Sequence, residues 1–504
     1  MTSKLKQYMK QIKSFFLSLV GLVAISVSSC DLTEHPTNFV TPDDYYKTEL
    51  QCKAAINGCY YYLNSIYSSG FMTPVEAVTD LMYVFTNNDD ARLKVSPSNP
   101  AMGESIWDWC YKSVMRANSV IPGIENSPIE EEKKPALLAE AKIVRAYYWY
   151  LLTSFFGDVP FYTIPVADVE TQNEIARLKR TPATEIRTYL IKELVECVPD
   201  LEQKRFSDDP ERRMGAPVGW MLIAKLCMWE NRWEEALNAL GNVEKIYGDF
   251  NQYPLEDIRF RCKNTPESIF EVQRTYTAGG LSVTSNTAAI CTPKHDGDGI
   301  YDGVEIPELG KNPTTWTSMR PTAYYYSTLM PRKGADKRAE LNLAYSYNGK
   351  PFKSAATTPW LGPKFWCPDM QSTADHNNNR IFRYADAILM MAECYMEQKD
   401  YDNSVKYLNM TRLRAGIGEY TMKTPELLRD EIQKERGREL LGEWQRKFDL
   451  VRWGIWYEVV RDNTGRPETK TNLKPCHEFY PIPDKQVVYS GGNLDNEEYK
   501  KYGL

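Results

Sequence analysis

The sequence predicts a mainly α-helical protein, a scaffold of paired helices interrupted by loop-rich insertions. Three observations predict it. Apolar residues recur at helical spacing over much of the chain. Two distant stretches repeat one helix–turn–helix pattern. Two regions rich in Gly, Pro, Asn and Asp break the helices and hold many of the aromatic residues.

The first thirty residues stand apart. Lys4, Lys6, Lys10 and Lys13 give a basic start, and Phe15 to Ile25 is an apolar run broken only by Ser18 and Gly21. The run is about eleven residues long, short of the roughly 20 that a spanning helix needs. With the basic flank before it and small residues after it, it reads as a secretory signal. It ends in Val27-Ser28-Ser29-Cys30 rather than in an A-x-A-like site, which resembles a bacterial lipobox. On that reading residues 1–29 are removed, Cys30 is lipidated, and the chain is anchored without spanning, since each buried CH₂ of an acyl chain contributes ~0.8 kcal/mol.

Helical patterns follow near 45–66, 182–198, 217–247, 381–415 and 425–446. The plainest is "PALLAEAKIVRAYYWYLLTSFFGDVPFY". There Leu137, Ala141, Val144, Tyr148, Leu151 and Phe155 mark one helix face, and Gly157 and Pro160 end it. Tyr147 to Tyr150 look like an aromatic platform, but four successive residues cannot share a face, so they read as core. "AKLCMWENRWEEALNAL" (224–240) and "AECYMEQKDYDNSVKYLNM" (392–410) each give a helix, a polar turn, an aromatic (Trp233, Tyr401) and a second helix. That is the grammar of tetratricopeptide repeats, with the aromatic expected between the paired helices and no strict period visible. The loop-rich regions are about 80–110 and 250–378.

Composition excludes some functions. A net charge of −6 leaves no nucleic-acid footprint. GxSxG, P-loop, HExxH and GxGxxG patterns are absent. No CxxC pair occurs among the eleven cysteines, which argues against a zinc ribbon or thioredoxin-like site. Cys52 and Cys59 lie about 10 Å apart on a helix, too far to bridge. Cys227 and Cys394 read as core residues; a disulfide between distant cysteines stays open. "HDGDGIYDGVE" offers Asp296, Asp298, Asp302 and Glu305, but Ile300 stands where a calcium loop needs Asp or Asn, so a solvated turn is expected. No metal and no cofactor is expected. Glu435, Glu439 and Glu443 repeat every four residues beside Arg438, Arg446 and Asp449, and read as a structural ion-pair network built on i,i+3 pairs.

Four ordered motifs then carry a family resemblance: "AEAKIVRAYYWYLLTSFFGDVPFY" (139–162), "FRYADAILMMAE" (382–393), "ERGRELLGEWQRKFDLVRWG" (435–454) and "FYPIPDKQV" (479–487). With the lipobox, the chain resembles the SusD/RagB family of outer-membrane nutrient-binding lipoproteins. The terminal "NLDNEEYKKYGL" departs from the family's Asn-Pro-rich ending. The resemblance implies a fold of tetratricopeptide-like units with a less regular ligand face, and a division into 30–250 and 251–504, the latter with its insertion at 251–378. It implies a non-catalytic, lipid-anchored and surface-exposed protein that binds glycans, or in some members peptides. It also implies a SusC-like TonB-dependent barrel as partner. Asp31 and Glu34 fit loosely with export to the surface. A surface glycoside hydrolase stays open, because catalytic carboxylates need correct spacing only in space.

The candidate ligand residues lie in the loop-rich regions. A flat aromatic covers the C–H face of a sugar, and amide, carboxylate and guanidinium groups bond its hydroxyls. Tyr83, Asn87, Asp89, Arg92, Trp107 and Trp109 supply such groups in the first region, and Tyr301, Trp316 and Arg320 in the second. At least one of Trp107, Trp109, Tyr301 and Trp316 is expected to stack on ligand.

Overall fold

Paired helices form the scaffold, and the sequence pattern explains most of them. The computed structural model describes residues 45–504, so the expected signal and Cys30 lie outside the described residues. Lys47–Leu504 form one compact unit. Helix α1 (Glu49–Tyr60) starts at a reciprocal cap: the Gln51 N–H donates to Thr48 Oγ1 at 3.2 Å, and the Thr48 N–H to Gln51 Oε1 at 3.1 Å. It buries Cys52, Ile56 and Cys59 at spacings of four and three. Helix α2 (Ser69–Glu76) and strand β1 (Met82–Val84) follow.

Helix α3 (Met102–Glu125) cuts the loop-rich reading of 80–110 back to residues 80–101. Its buried stripe, Ile106, Cys110, Val114, Ala117, Ile121 and Ile124, is regular. Its start is not local: the Met102 N–H donates to the carboxylate of Asp90 at 3.1 Å, twelve residues upstream. Helix α4 (Lys134–Phe156) packs along α3 and is buried on nearly every side. Tyr147, Tyr148, Trp149 and Tyr150 are all core, as expected. The Tyr147 hydroxyl meets that of Tyr67, and the Tyr148 hydroxyl donates to the Cys59 carbonyl at 2.8 Å. Gly157, at φ 73°, ends α4 where any other residue would be strained.

Helices α5 (Ala183–Cys197), α6 (Ala216–Trp229) and α7 (Trp233–Tyr247) continue the scaffold. Strands β2 (Ser268–Val272), β3 (Met319–Pro321) and β4 (Asn379–Arg383) precede α8 (Tyr384–Glu397) and α9 (Tyr401–Ala415). The pairs α6/α7 and α8/α9 turn alike. Asn231 and Lys399 hold φ of 56° and 66°, and the N–H groups of Arg232 and Asp400 reach back to the Cys227 and Tyr395 carbonyls, both at 2.9 Å. Trp233 and Tyr401 begin the second helices and are half-buried. The ring stack inside the second pair is Tyr395 on Tyr407, 5.4 Å between centroids, rather than Tyr401. Helix α7 packs on α8, so the two pairs stack, and β4 joins β2 antiparallel at the entry to α8.

Helices α10 (Pro425–Glu439) and α11 (Arg446–Arg452) carry the charged motif. The charge network exists, but it is mainly tertiary. Only Arg438–Glu435 (3.0 Å) and Arg452–Asp449 (3.3 Å) are i,i+3 pairs within the motif. The helix stops at Glu439, and the turn to α11 passes through Gly442 and Trp444 at φ 73° and 65°. Glu439 meets Arg338 at 2.7 Å and Arg383 at 2.6 Å, and also contacts Arg414. Arg383 reaches Glu267 at 2.9 Å and Glu443 at 2.7 Å. Burial alone would push the Glu439 carboxyl up; Arg414, Arg383 and Arg338 outweigh it and hold it well below its ordinary value. The network thus ties the loop-rich region, through Glu267 and Arg338, to the helices.

That loop-rich region is built of short strands and turns. The "HDGDGIYDGVE" segment forms three strands, His295–Gly297, Ile300–Tyr301 and Val304–Glu305. It is not wholly solvated: Asp302 is buried and accepts from Ser354 Oγ and Trp360 Nε1, both at 2.8 Å. Among the described residues no cluster of His, Cys, Asp and Glu is arranged to hold a metal, and no helix is long and apolar enough to cross a membrane. The ten described cysteines are free, and all but Cys262 are buried.

Candidate functional site

Strand β1 comes from the first loop-rich region and β3 from the second. They pair antiparallel, with Tyr83 opposite Arg320 and Val84 opposite Met319, and the Phe85 N–H extends the ladder to the Ser318 carbonyl at 3.1 Å. This pairing joins the two insertions at one place. Beside it lies an open cleft of about 450 Å³. Helix α2 lends it Ser69 and Thr73, the turn after β1 lends Asn87 and Asn88, and the approach to β3 lends Trp316 and Ser318.

Each wall is anchored. The Ser69 N–H donates to Asn286 Oδ1 at 2.9 Å, which fixes the start of α2 to the segment leading into helix Thr287–Cys291. From that helix the Ala289 carbonyl accepts the N–H groups of Trp316 (2.7 Å) and Thr317 (3.0 Å). The Trp316 backbone is therefore held while its side chain is 47% exposed at the cleft. Across from it, Asn88 Oδ1 accepts the Ala91 N–H at 2.9 Å, and Asn87 Oδ1 accepts from Arg92 Nη1 at 3.4 Å. Arg92 Nη2 bonds Asp89 at 2.7 Å, and Asn99 Nδ2 bonds the other Asp89 oxygen at 3.1 Å. The hydrogen bonds from Asn99 and Arg92 lower the Asp89 carboxyl below its ordinary value.

The structure sorts the expected ligand residues. Asn87 and Trp316 meet in the cleft, and Asp89 and Arg92 brace the Asn87 turn from behind. Tyr83 and Arg320 lie next to it but are committed elsewhere. The Tyr83 ring packs on Gly465, where no Cβ would fit. The Arg320 guanidinium stacks over Trp360 and donates to the Pro359 carbonyl at 3.3 Å; burial lowers it to about 10. Trp107 and Tyr301 correct the expectation. Trp107 is buried on α3, edge-on to Phe156 at 5.1 Å. Trp109 is half-buried on the same helix and does not line the cleft. Tyr301 is fully buried, its hydroxyl donating to the carbonyls of Leu309 (2.9 Å) and Gly310 (3.0 Å). Trp107 and Tyr301 belong to the core because their backbone is helix or hairpin rather than open loop.

The sequence reading missed Ser69, Thr73 and Ser318, which carry no signal of their own. It also missed Phe85, 50% exposed beside the cleft, although Met82-Tyr83-Val84-Phe85 is a short continuous apolar run of the kind a strand gives. A larger groove of about 580 Å³ lies near Asp484, Leu494 and Asn496; it has no aromatic lining and so no surface for a sugar ring. The Trp316 cleft combines a flat apolar ring with free amide donors and hydroxyls, which suits an uncharged polar ligand with a flat apolar face.

Comparison with known proteins agrees with this architecture. Residues 267–499 match the family model described as "SusD family", and residues 41–198 match one described as "Starch-binding associating with outer membrane". The first range contains three of the four motifs and the second contains the fourth. SusD-like protein P25 of Formosa agariphila is 26% identical, over 94% of this chain and 96% of its own length. The starch-binding protein SusD of Bacteroides thetaiotaomicron is 23% identical, over 72% of each chain. Among solved structures, a laminarin-binding SusD-like protein superposes with a TM-score of 0.71 at 20% identity, over 89% of this chain and 99% of its own. A surface glycan-binding protein A from Bacteroides thetaiotaomicron, in complex with laminarihexaose, gives 0.68 at 19% identity over the same shares. The helical-repeat fold, the ordered motifs and both family models place this chain in the SusD/RagB family of outer-membrane-associated proteins.

Proposed function

We propose that this protein is a non-catalytic glycan-binding lipoprotein of the cell surface, that the Trp316 cleft is its binding site, and that it delivers bound glycan to a SusC-like TonB-dependent barrel. The observation that carries the reading is the meeting of both loop-rich insertions at one half-exposed tryptophan faced by Asn87 and Asn88. Relatives and structural neighbours named for starch, laminarin and laminarihexaose support a glycan as the ligand class. The cleft holds no carboxylate, whereas glycoside hydrolysis needs a pair of them flanking the bond, so capture without cleavage is the fitting chemistry. Anchoring falls to Cys30, through the lipobox that precedes the described residues.

The test is affinity electrophoresis of the soluble chain from Asp31 in gels holding single polysaccharides, with Trp316→Ala alongside. Retardation by at least one glycan, lost in the variant while its urea midpoint is unchanged, is the expected result. Equal retardation of both proteins would reject the cleft as the glycan site, and no retardation of either in any gel would move the ligand class to peptides. Capture of the tagged protein from detergent-solubilised outer membranes tests delivery: a TonB-dependent barrel is expected to copurify.

A further inference from the structure

We propose that the Trp316 cleft admits only uncharged saccharide, a neutral glycan segment rather than a uronic acid or a sulfated sugar. The inference rests on the reading of this cleft as the glycan site. None of the ten residues lining it carries an ionisable side chain. Its polar groups are the hydroxyls of Ser69, Thr73, Thr86 and Ser318 and the carboxamides of Asn87 and Asn88. The amides are oriented by the protein. Their oxygens accept from Arg92 Nη1 and the Ala91 N–H, so both Nδ2 groups are left as donors. The cations that touch the lining are each paired: Arg92, at Asn87, with Asp89 at 2.7 Å, and Arg466, at the Val84 and Thr86 carbonyls, with Glu468 at 3.1 Å.

A hydroxyl entering this cleft exchanges water for amide and hydroxyl partners at little cost. A carboxylate or sulfate ester gives up part of its hydration against the indole and finds no unpaired cation in the lining to replace it, which disfavours it relative to a hydroxyl. The flat indole favours a pyranose C–H face and offers nothing to an anion, because the face of an aromatic ring is electron-rich. The same turn supplies a contrast. Lys94 and Lys474 line a further cleft of about 340 Å³, and among the described residues neither ammonium is paired with a carboxylate. An acidic polysaccharide would therefore be drawn to the lysines and not to Trp316, and that attraction would fade with salt.

The experiment compares wild type, Trp316→Ala, Lys94→Ala and Asn88→Lys in affinity gels. The gels hold neutral polysaccharides (laminarin, starch, a galactomannan) or acidic ones (polygalacturonate, chondroitin sulfate), each at low and high salt. A neutral polysaccharide is expected to retard wild type equally at both salts and to lose at least about tenfold in affinity with Trp316→Ala, a difference of about 1.4 kcal/mol. The acidic gels are expected to show only salt-sensitive retardation that Trp316→Ala keeps and Lys94→Ala reduces. Asn88→Lys should add a Trp316-dependent response to polygalacturonate. Wild-type retardation by an acidic polysaccharide that Trp316→Ala abolishes and Lys94→Ala does not would overturn the selectivity while leaving the glycan site standing. If no gel separates wild type from Trp316→Ala, the glycan reading of the cleft fails and the selectivity with it.

Discussion

Trp316 and Trp107 show how one residue type divides between an open cleft and the packed core. Both are tryptophans from loop-rich sequence, and only the structure separates them. Trp316 keeps its ring half-exposed because two backbone N–H groups hold it to Ala289, whereas Trp107 sits on a helix face that the core covers. Trp107→Ala is expected to leave glycan binding intact and to cost about 3–5 kcal/mol of stability through the cavity it opens. Chemical denaturation beside affinity electrophoresis checks this, and loss of binding at unchanged stability would place Trp107 in the site after all. Tyr301 belongs with Trp107. Its presence in a Gly- and Asp-rich stretch suggested a surface ring, yet the hairpin turns it inward to two carbonyls. What was legible here was the kind of residue a sugar site needs. Which side of the local element each ring occupies was not, because that depends on the backbone conformation.

Elements decide how those residues meet. The periodic helices were readable because their apolar stripes are local, as in α4 and α7. Two features were not. The start of α3 is capped by Asp90, and β1 pairs with β3 across more than two hundred residues, so neither leaves a local signature. The charged motif was readable as a network, but its partners Arg338, Arg383 and Arg414 lie outside it. Glu439→Gln is expected to lower stability by about 3–5 kcal/mol, because three buried arginines lose their shared carboxylate. Urea unfolding measures this, and a change near zero would mean the network is not structural.

Helix α11 also buries an amine. The Lys447 ammonium donates to the His477 carbonyl at 3.2 Å among the rings of Phe155, Trp456 and Tyr480. Burial pushes it down from 10.5 to about 7, partly offset by Glu478 and Asp90. Between those two values the unfolded chain holds a proton that the folded chain does not. This group's share of stability is therefore full above pH 10.5 and falls as pH drops towards 7, by up to about 1.4 kcal/mol per unit. Lys447→Met keeps the stem and should remove that slope when the two proteins are compared at pH 7, 8.5 and 10; parallel curves would contradict it.

At the scale of the whole molecule, the scaffold is held without cross-links. All ten described cysteines are free, and burial raises nearly all their thiols, that of Cys110 by burial alone. Mass spectrometry after a short exposure to a thiol reagent is expected to find at most one rapid adduct, at half-buried Cys262, and ten after denaturation without reductant. Fewer than ten would reveal a disulfide. The helices supply a rigid frame, the buried ion pairs fasten the large insertion to it, and β1 with β3 brings the insertions together at one cleft. A crystal structure of the soluble chain with the oligosaccharide that retards it tests that account most directly. It predicts a pyranose ring stacked on the Trp316 indole, with hydroxyls accepting from the Asn87 and Asn88 amides. A sugar bound elsewhere, with Trp316 uncovered, would contradict it.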